Sequence, residues 1–240
     1  FSNVYKIIGK IRGRNKLIKL KKKIEFKIAA DGSSASGKTT ACYLIAKKFK
    51  MNFLSSGTLY RFCALKLLEN NYKCNKKFID TVAKSITLRK LKNKNLYSQE
   101  VALLSAVIAK KPYVRKALKD FQKKFIKKSK LVIIEGRDIG SKIMPNADLK
   151  FFFTCSIIEK ARRRLKEFRK TNKKITLKQV EKALNQRDKE DTRRKISPLI
   201  IAKNAVLVDT TKLSINKMEA KLTNLVLKGL KNKYGNIQRS

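Results

Sequence analysis

Short apolar runs recur along this chain, separated by longer stretches in which apolar residues return every three or four positions. The runs are 24–30 (Ile24-Glu25-Phe26-Lys27-Ile28-Ala29-Ala30), 52–54, 131–135 (Leu-Val-Ile-Ile-Glu), 149–154 (Leu-Lys-Phe-Phe-Phe-Thr) and 205–208 (Ala-Val-Leu-Val). Runs this short and this continuous predict strands of a parallel sheet buried on both faces. Helical spacing predicts helices over 39–50, 57–70, 98–110, 113–128, 157–170, 176–191 and 214–229; in the first, Ala41, Leu44, Ile45 and Phe49 share a face. Their alternation predicts a doubly wound α/β domain of about five strands with helices on both faces. Ligands of such sheets bind at the carboxyl ends of the strands, where Ser33, Ser56, Gly136 and Thr154 fall.

Some segments stand outside this alternation. Residues 1–23 are rich in Lys and Arg, carry no acid, and read as a basic arm outside the fold. A weak amphipathic helix, an upstream remnant or an organelle-targeting segment are alternatives, although Ser is scarce and Lys outnumbers Arg. The domain proper is expected over 24–230, followed by a basic tail over 231–240. Residues 73–97 are polar, Lys/Asn-rich and weakly periodic, and read as part of an insertion over about 71–110. Residues 170–196 begin and end in Arg clusters, which suggests a helical lid over about 165–197.

Charge and composition narrow the chemistry. The chain carries 61 Lys and Arg against 17 Asp and Glu, a formal net charge of +44. Such a field attracts nucleotides, nucleic acid or anionic membranes. Only 14 of the basic residues are Arg, and the Lys are spread along nearly every surface segment, which is the pattern of compositional drift rather than of a binding patch. Histidine is absent, so no His base or triad exists. Cys42, Cys63, Cys74 and Cys155 form no C-x-x-C, which argues against zinc and for a reducing cytoplasm. No run reaches the ~18 apolar residues of a membrane span. A monomer is expected.

The sharpest motif is Gly32-Ser33-Ser34-Ala35-Ser36-Gly37-Lys38-Thr39, which fits the phosphate-loop pattern G-x-x-x-x-G-K-[ST] at every fixed position. It follows a predicted strand and opens a predicted helix, so backbone N–H groups and a helix N-terminus point at one spot. Lys38 is expected to reach the β- and γ-phosphates of ATP and the Thr39 hydroxyl to hold Mg²⁺. A Ser/Gly-rich turn without function is the alternative.

Charged residues after the other strands refine this. In Ser55-Ser56-Gly57-Thr58-Leu59-Tyr60-Arg61 a glycine turn opens a helix, and Arg61 either forks onto a second phosphate or is a solvated helix arginine. In Glu135-Gly136-Arg137-Asp138-Ile139-Gly140 the carboxylate ending an apolar run faces the phosphate loop, the place for an acid that supports Mg²⁺. Arg137 and Asp138 then project into the cleft or form a structural pair. Lys160-Ala161-Arg162-Arg163-Arg164 opens one helix and Arg187-Asp188-Lys189-Glu190-Asp191-Thr192-Arg193-Arg194 ends another; lid arginines of this kind neutralise charge in phosphoryl transfer.

Taken together, the phosphate loop, Ser-Gly-x-x-Tyr-Arg, Glu-Gly-Arg-Asp-Ile-Gly, Ala-Asp-Leu-Lys, Arg-Asp-x-x-Asp-x-x-Arg, Ser-Pro-Leu and Val-Asp-Thr-Thr closely resemble bacterial-type cytidylate kinases, from about residue 25 to about 230. The resemblance implies a P-loop kinase with a short region for the nucleoside monophosphate and a lid, transferring phosphate from ATP to CMP or dCMP with Mg²⁺. It implies that residues 32–40, Gly32 through Thr40, hold the ATP phosphates with Arg163 or Arg164 touching ATP, and that Thr39 and Glu135 serve the metal. It implies that Ser56, Arg61, Arg137 and Arg194 approach the CMP phosphate, that Ser105, Arg115 and Asp138 contact the base, and that Arg187 and Asp191 lie near the sugar and the transferring phosphate. Lys38, Arg137, Arg187 and Arg194 are the expected catalytic set. The chain departs from the family pattern at Ser33, where proline is common, at Ser55, where aspartate is common, and at Glu190, where arginine is frequent; its insertion before Ser105 also looks short. Another small-molecule kinase, or a nucleic-acid-binding protein with a vestigial loop, are the competing readings; nucleic acid is not required for the first, though the charge permits nonspecific binding.

Overall fold

A computed structural model of the chain describes residues 24–71, 74–169 and 175–235. The expected basic arm over 1–23 and the end of the expected tail, from 236, lie outside the described residues. The chain forms two compact units, the first from the chain up to Leu54, from Lys130 to Arg193 and from Ser197 onward, the second from Ser55–Ser129 and Arg194–Ile196.

The first unit is built on the predicted sheet. Strands β1 (Phe26–Gly32), β2 (Asn52–Ser55), β3 (Leu131–Gly136), β4 (Leu149–Thr154) and β5 (Ala205–Asp209) lie in the order β2-β3-β1-β4-β5. β1 pairs in parallel with both β3 and β4, and β4 in parallel with β5. Strand side chains alternate between faces. Phe26, Ile28, Ala30, Ile133, Phe151, Phe153 and Val208 therefore form one apolar layer. Helix α1 (Lys38–Phe49) covers it with Ala41, Cys42, Ile45, Ala46 and Phe49, and helix α8 (Ile215–Tyr234) with Met218, Leu222, Val226 and Leu230. Ala29, Val132 and Ile134, on the opposite side of the same strands, are also buried, which is why these runs carry so few polar residues. β5 is the exception. At one edge of the sheet, it buries Val208 but leaves Leu207 exposed.

Gly32 ends β1 at φ 152°, where an added Cβ would stand 2.4 Å from the Phe153 carbonyl oxygen. Only glycine lets the chain leave the sheet so close to β4. Helix α8 runs five residues past the predicted 229, because its end is anchored: Lys233 pairs with Asp148, and Tyr234 Oη both receives the Glu25 N–H and donates to the Glu25 carbonyl. Two further helices of this unit, α6 (Ile157–Phe168) and α7 (Leu177–Arg193), pack through Ala161, Leu165, Val180 and Leu184.

In the second unit the described residues after Ser55 form no strand. It holds α2 (Ser56–Glu69), α3 (Lys76–Lys84), two 3₁₀ turns (Lys90–Lys92 and Lys94–Tyr97), α4 (Gln99–Ile108) and α5 (Pro112–Lys127), with α2 packed on α4 and α3 on α5. The sequence reading missed α3. Its Asn75 side chain caps the helix by accepting the Phe78 N–H at 2.8 Å. Ile79, Val82, Ala83 and Ile86 recur at helical spacing and are all buried. The lysines between them hide this periodicity in a composition average.

Phe153 is fully buried in the layer between the sheet and its helices, edge-on to Phe151. Phe153→Ala is expected to lower the unfolding free energy by about 3–5 kcal/mol, read as a drop in urea midpoint at constant slope; a midpoint close to wild type would mean that this layer does not hold the unit together.

Candidate active site

The strand order reverses at β1, which has β3 on one side and β4 on the other. Their carboxyl ends, Gly32, Gly136 and Thr154, meet at this switch point, where α/β sheets bind ligands. The loop between β1 and α1 fills it and is tied to itself. The Ser33 carbonyl accepts from Ser36 Oγ at 2.9 Å and from Lys38 Nζ at 3.2 Å, and Ala35 sits in the left-handed region at φ 55°. A non-glycine residue there carries strain of the kind concentrated at binding loops.

Behind the loop, Thr39 Oγ1 donates to Glu135 Oε1 at 3.1 Å, and Lys38 Nζ stands 3.6 Å from Glu135 Oε2. Lys38 and Glu135 are both buried. Burial pushes the Lys38 ammonium down to about 8; Arg137 and Arg187 push the same way, and Glu135 opposes them. Thr40 is exposed on the first turn of α1.

The turn after β3 places Arg137 on the loop. Its Nε donates to Asp191 Oδ2 at 2.7 Å and one Nη to Ser34 Oγ at 2.8 Å. Asp191 reaches it because α7 carries one continuous stripe: Val180 and Leu184 pack on α6, and the same face one and two turns on presents Asp188 and Asp191. Asp188 Oδ1 accepts the Ser34 backbone N–H at 3.2 Å, while its other oxygen pairs with Lys160 Nζ of α6 at 2.5 Å. Arg163, three residues on, donates to the Thr210 hydroxyl at 3.1 Å and to its carbonyl at 2.7 Å, and the buried Thr210 Oγ1 lies 2.9 Å from the Ser36 carbonyl it donates to. Of the arginine pair expected near ATP, Arg163 is thus the one beside the loop; Arg164 pairs with Glu167 and stacks on Phe168. Beneath the turn, the buried Asp31 carboxylate accepts the N–H groups of Ile139 and Gly140 at 2.8 and 2.7 Å.

Asp138, buried on the turn after β3, and Arg187, on α7, also belong to the first unit, and the second carries Ser56, Arg61, Ser105, Arg115 and Arg194. Ser56 Oγ, at the start of α2, accepts from Gln122 Nε2 at 2.7 Å, both side chains being buried. Arg61 donates to the Leu96 carbonyl at 2.9 Å and lies over the Tyr97 ring. Arg115 donates to the Ala109 carbonyl and lies over Tyr60. Ser105 is buried on α4, donating to the Ala102 carbonyl at 2.8 Å.

The sequence that builds this geometry matches a known group of proteins. The cytidylate kinase family model matches residues 28–228. A cytidylate kinase of Thermotoga petrophila is 34% identical over 213 residues, 84% of this chain and 96% of the relative. The cytidylate kinase of the Aster yellows witches'-broom phytoplasma is 36% identical over 85% of this chain and 96% of its own. The chain belongs to the cytidylate kinase family. Among solved structures, an uncharacterized protein from Eubacterium ventriosum aligns with a TM-score of 0.50 at 14% identity, over 84% of this chain and 98% of its own, a likeness of fold alone.

Within this cytidylate kinase fold, the departures from the family pattern are accommodated locally. Ser33 keeps its carbonyl on Lys38 and its hydroxyl within 3.4 Å of Lys160 Nζ. Ser55 precedes α2, where its carbonyl accepts from Thr58 Oγ1. Glu190 accepts from Gln186 on the exposed side of α7. Sequence reasoning missed the parts played by Asp31, Lys160, Asp188, Thr210 and Gln122. Asp31 left a signal, a charged residue ending an apolar strand immediately before the phosphate loop. Lys160, Asp188 and Thr210 lie inside quoted motifs, but their partners are distant in sequence.

Burial raises the Asp31 carboxyl to about 6, against the two amide hydrogen bonds and Lys38 and with the help of Asp138. A raised carboxyl stabilises the fold below the unfolded-state value near 4 and loses that contribution as pH rises through about 6. Stability is therefore expected to fall by about 2–3 kcal/mol between pH 4 and 6 from this group. Asp31→Asn is expected to flatten that segment of a stability-against-pH curve measured by chemical denaturation; an unchanged slope would show that Asp31 does not titrate there.

Proposed function

We propose that this cytidylate kinase family member transfers the γ-phosphoryl group of ATP to CMP or dCMP, giving ADP and CDP or dCDP. The observation that carries the reading is the cluster on the phosphate loop: Lys38, Arg137 and Lys160 reach one short loop that also offers backbone N–H groups, with Thr39 and Glu135 behind it.

An oxygen of the CMP 5′-phosphate attacks the γ-phosphorus in line, the bond to the β-bridging oxygen breaks, and ADP leaves. The attacking group is already an anion, so no strong base is required, in keeping with a chain that has no histidine. Positioning and charge neutralisation do the rest. The Lys38 ammonium works from a buried site, where its field is weakly screened. Phosphate oxygens compete with Asp188 and Asp191 for the Ser34 N–H and Arg137, so the acids of α7 hold these donors in place without satisfying them irreversibly. We assign Ser56, Arg61, Arg137 and Arg194 to the CMP phosphate, and Arg187 and Asp191 to the sugar and the transferring phosphate. We assign Asp138, Ser105 and Arg115 to the base: a carboxylate accepts from the cytosine N4 amino group, while a hydroxyl and a guanidinium donate to N3 and O2. Uracil reverses the donor pattern and leaves buried groups unpaired. These assignments rest on motif match, and Ser56, Arg61, Ser105 and Arg115 are each hydrogen-bonded within their own unit.

Mg²⁺ fits the residues present. Thr39 and Glu135 would hold it, two hard oxygen donors 3.1 Å apart. The described residues contain no group of three or more His, Cys, Asp and Glu able to cage a metal, as suits an ion bound largely by phosphate oxygens and water. When bound, the ion neutralises charge on the β- and γ-phosphates. The described cysteines are free thiols, which supports a reducing compartment such as the cytoplasm. No helix among the described residues is long and apolar enough to cross a membrane.

The test is ADP release with ATP and Mg²⁺ against CMP, dCMP, UMP, AMP, GMP and shikimate. Turnover is expected with CMP and dCMP and to be weak or absent with the rest; no turnover with either cytidine nucleotide overturns the reading. Lys38→Ala is expected to reduce kcat by at least ~100-fold, and near-normal kcat would remove Lys38 from the mechanism. Only the charged ammonium serves the phosphates, so kcat/KM for ATP is expected to decline as pH rises through about 8. A flat profile to pH 9.5 would contradict the role of its buried charge.

A further inference from the structure

The turn that presents Arg137 and Asp138 leads into a single π-helical turn, Ile139–Ile143, whose first two amides have no carbonyl partner within it. It is Asp31 that pins it. β1 and β3 are in register with Asp31 beside Gly136, and the chain then passes over the Asp31 side chain. Both carboxylate oxygens are used, one on the Ile139 N–H at 2.8 Å and one on the Gly140 N–H at 2.7 Å, with all three residues buried. On its other side the Asp138 carbonyl accepts from the N–H groups of Lys142 and Ile143, at 2.9 and 3.2 Å. Asp138 is thereby clamped between two sets of backbone hydrogen bonds. The packing leaves no slack: a Cβ on Gly140 would stand 3.3 Å from Asp31 Oδ2 and 3.2 Å from the Ala202 Cβ. Asp31 also immediately precedes Gly32, the first residue of the phosphate loop.

We infer that Asp31 is a positioning residue for acceptor recognition: by holding the Ile139 and Gly140 amides it sets the direction of Asp138, and with it the discrimination between cytosine and uracil. The inference rests on the acceptor assignment of Asp138 made above. Asparagine is nearly isosteric but has one acceptor oxygen and an NH₂ group, so one of the two amides would face a donor. The turn must then rotate or open. The phosphate loop has separate ties of its own, at Ser33, Ser36 and Lys38, and keeps its shape.

The experiment compares wild type, Asp31→Asn and Gly140→Ala. Initial rates with CMP and with UMP are measured at saturating ATP, ATP binding is measured by calorimetry without CMP, and hydrogen exchange is followed over residues 137–144. In Asp31→Asn, kcat/KM for CMP is expected to fall at least tenfold and the CMP-to-UMP preference to shrink, with ATP affinity within threefold of wild type. Exchange is expected to accelerate at Ile139 and Gly140 while β1 stays protected. Gly140→Ala, which crowds the same contact from the other side, is expected to show the same acceptor-side defect, and it carries the test should Asp31→Asn fail to fold. CMP kinetics and CMP-to-UMP preference within threefold of wild type in a folded Asp31→Asn overturn the inference. So does an equal loss of ATP affinity, which would make Asp31 a part of the phosphate loop alone. Absence of CMP turnover in the wild-type enzyme overturns instead the functional reading beneath it.

Discussion

A buried ammonium group sets the terms for the first unit. Lys38 must be charged to serve a phosphate, yet burial and two arginines weaken its hold on the proton. Glu135, the carboxylate beside it, is what opposes them. The same condition governs the rest of the loop. Gathering Arg137, Lys160 and Arg163 around seven or eight residues of backbone would be self-repelling, so acids are interleaved among them: Asp191 on Arg137, Asp188 on Lys160, Glu159 on Arg163. Truncating one member of such a pair leaves its partner uncompensated, which is costlier than the pair is stabilising.

Backbone geometry makes this gathering cheap. A parallel sheet brings the ends of β1, β3 and β4 to one edge, and each end delivers a different group: the loop itself, Glu135 with Arg137, and the Thr154 carbonyl that approaches Thr210. α1 starts at Lys38, so the lysine assigned above to the ATP phosphates and the helix that covers the sheet are one continuous element. Rigidity of the core is thereby transmitted to the chemistry, in the manner of sites built on regular elements rather than on free loops.

Much of this was legible in the residues. Continuous apolar runs located the strands, and the phosphate loop was recognisable because a strand and a helix bracket it. Glu135 could be placed by parity alone, as the polar end of an otherwise apolar strand. What escaped was of two kinds. Helix α3 was hidden by lysines, since composition averages away a stripe as narrow as Ile79, Val82, Ala83 and Ile86. The partners of Lys160, Asp188 and Thr210 were hidden by distance: Ser34 and Asp188 lie 154 residues apart, and Thr210 and Ser36 174. Such pairings are properties of the topology, and no local spacing encodes them. Charge magnitude, by contrast, said little about where cations meet, because only a few of them lie at the loop.

The anchoring of α8 has a topological meaning. Tyr234 and Lys233 hold the backbone of Glu25, so the last turn of the described chain grips the residue that leads into its first strand. In that sense the described ends of the first unit are joined without a covalent bond. What the unit requires is the adjacency of its strands, not a particular place at which the chain begins. Both ends of the described chain meet beside Asp148 at the amino edge of β1, at the opposite end of that strand from the phosphate loop.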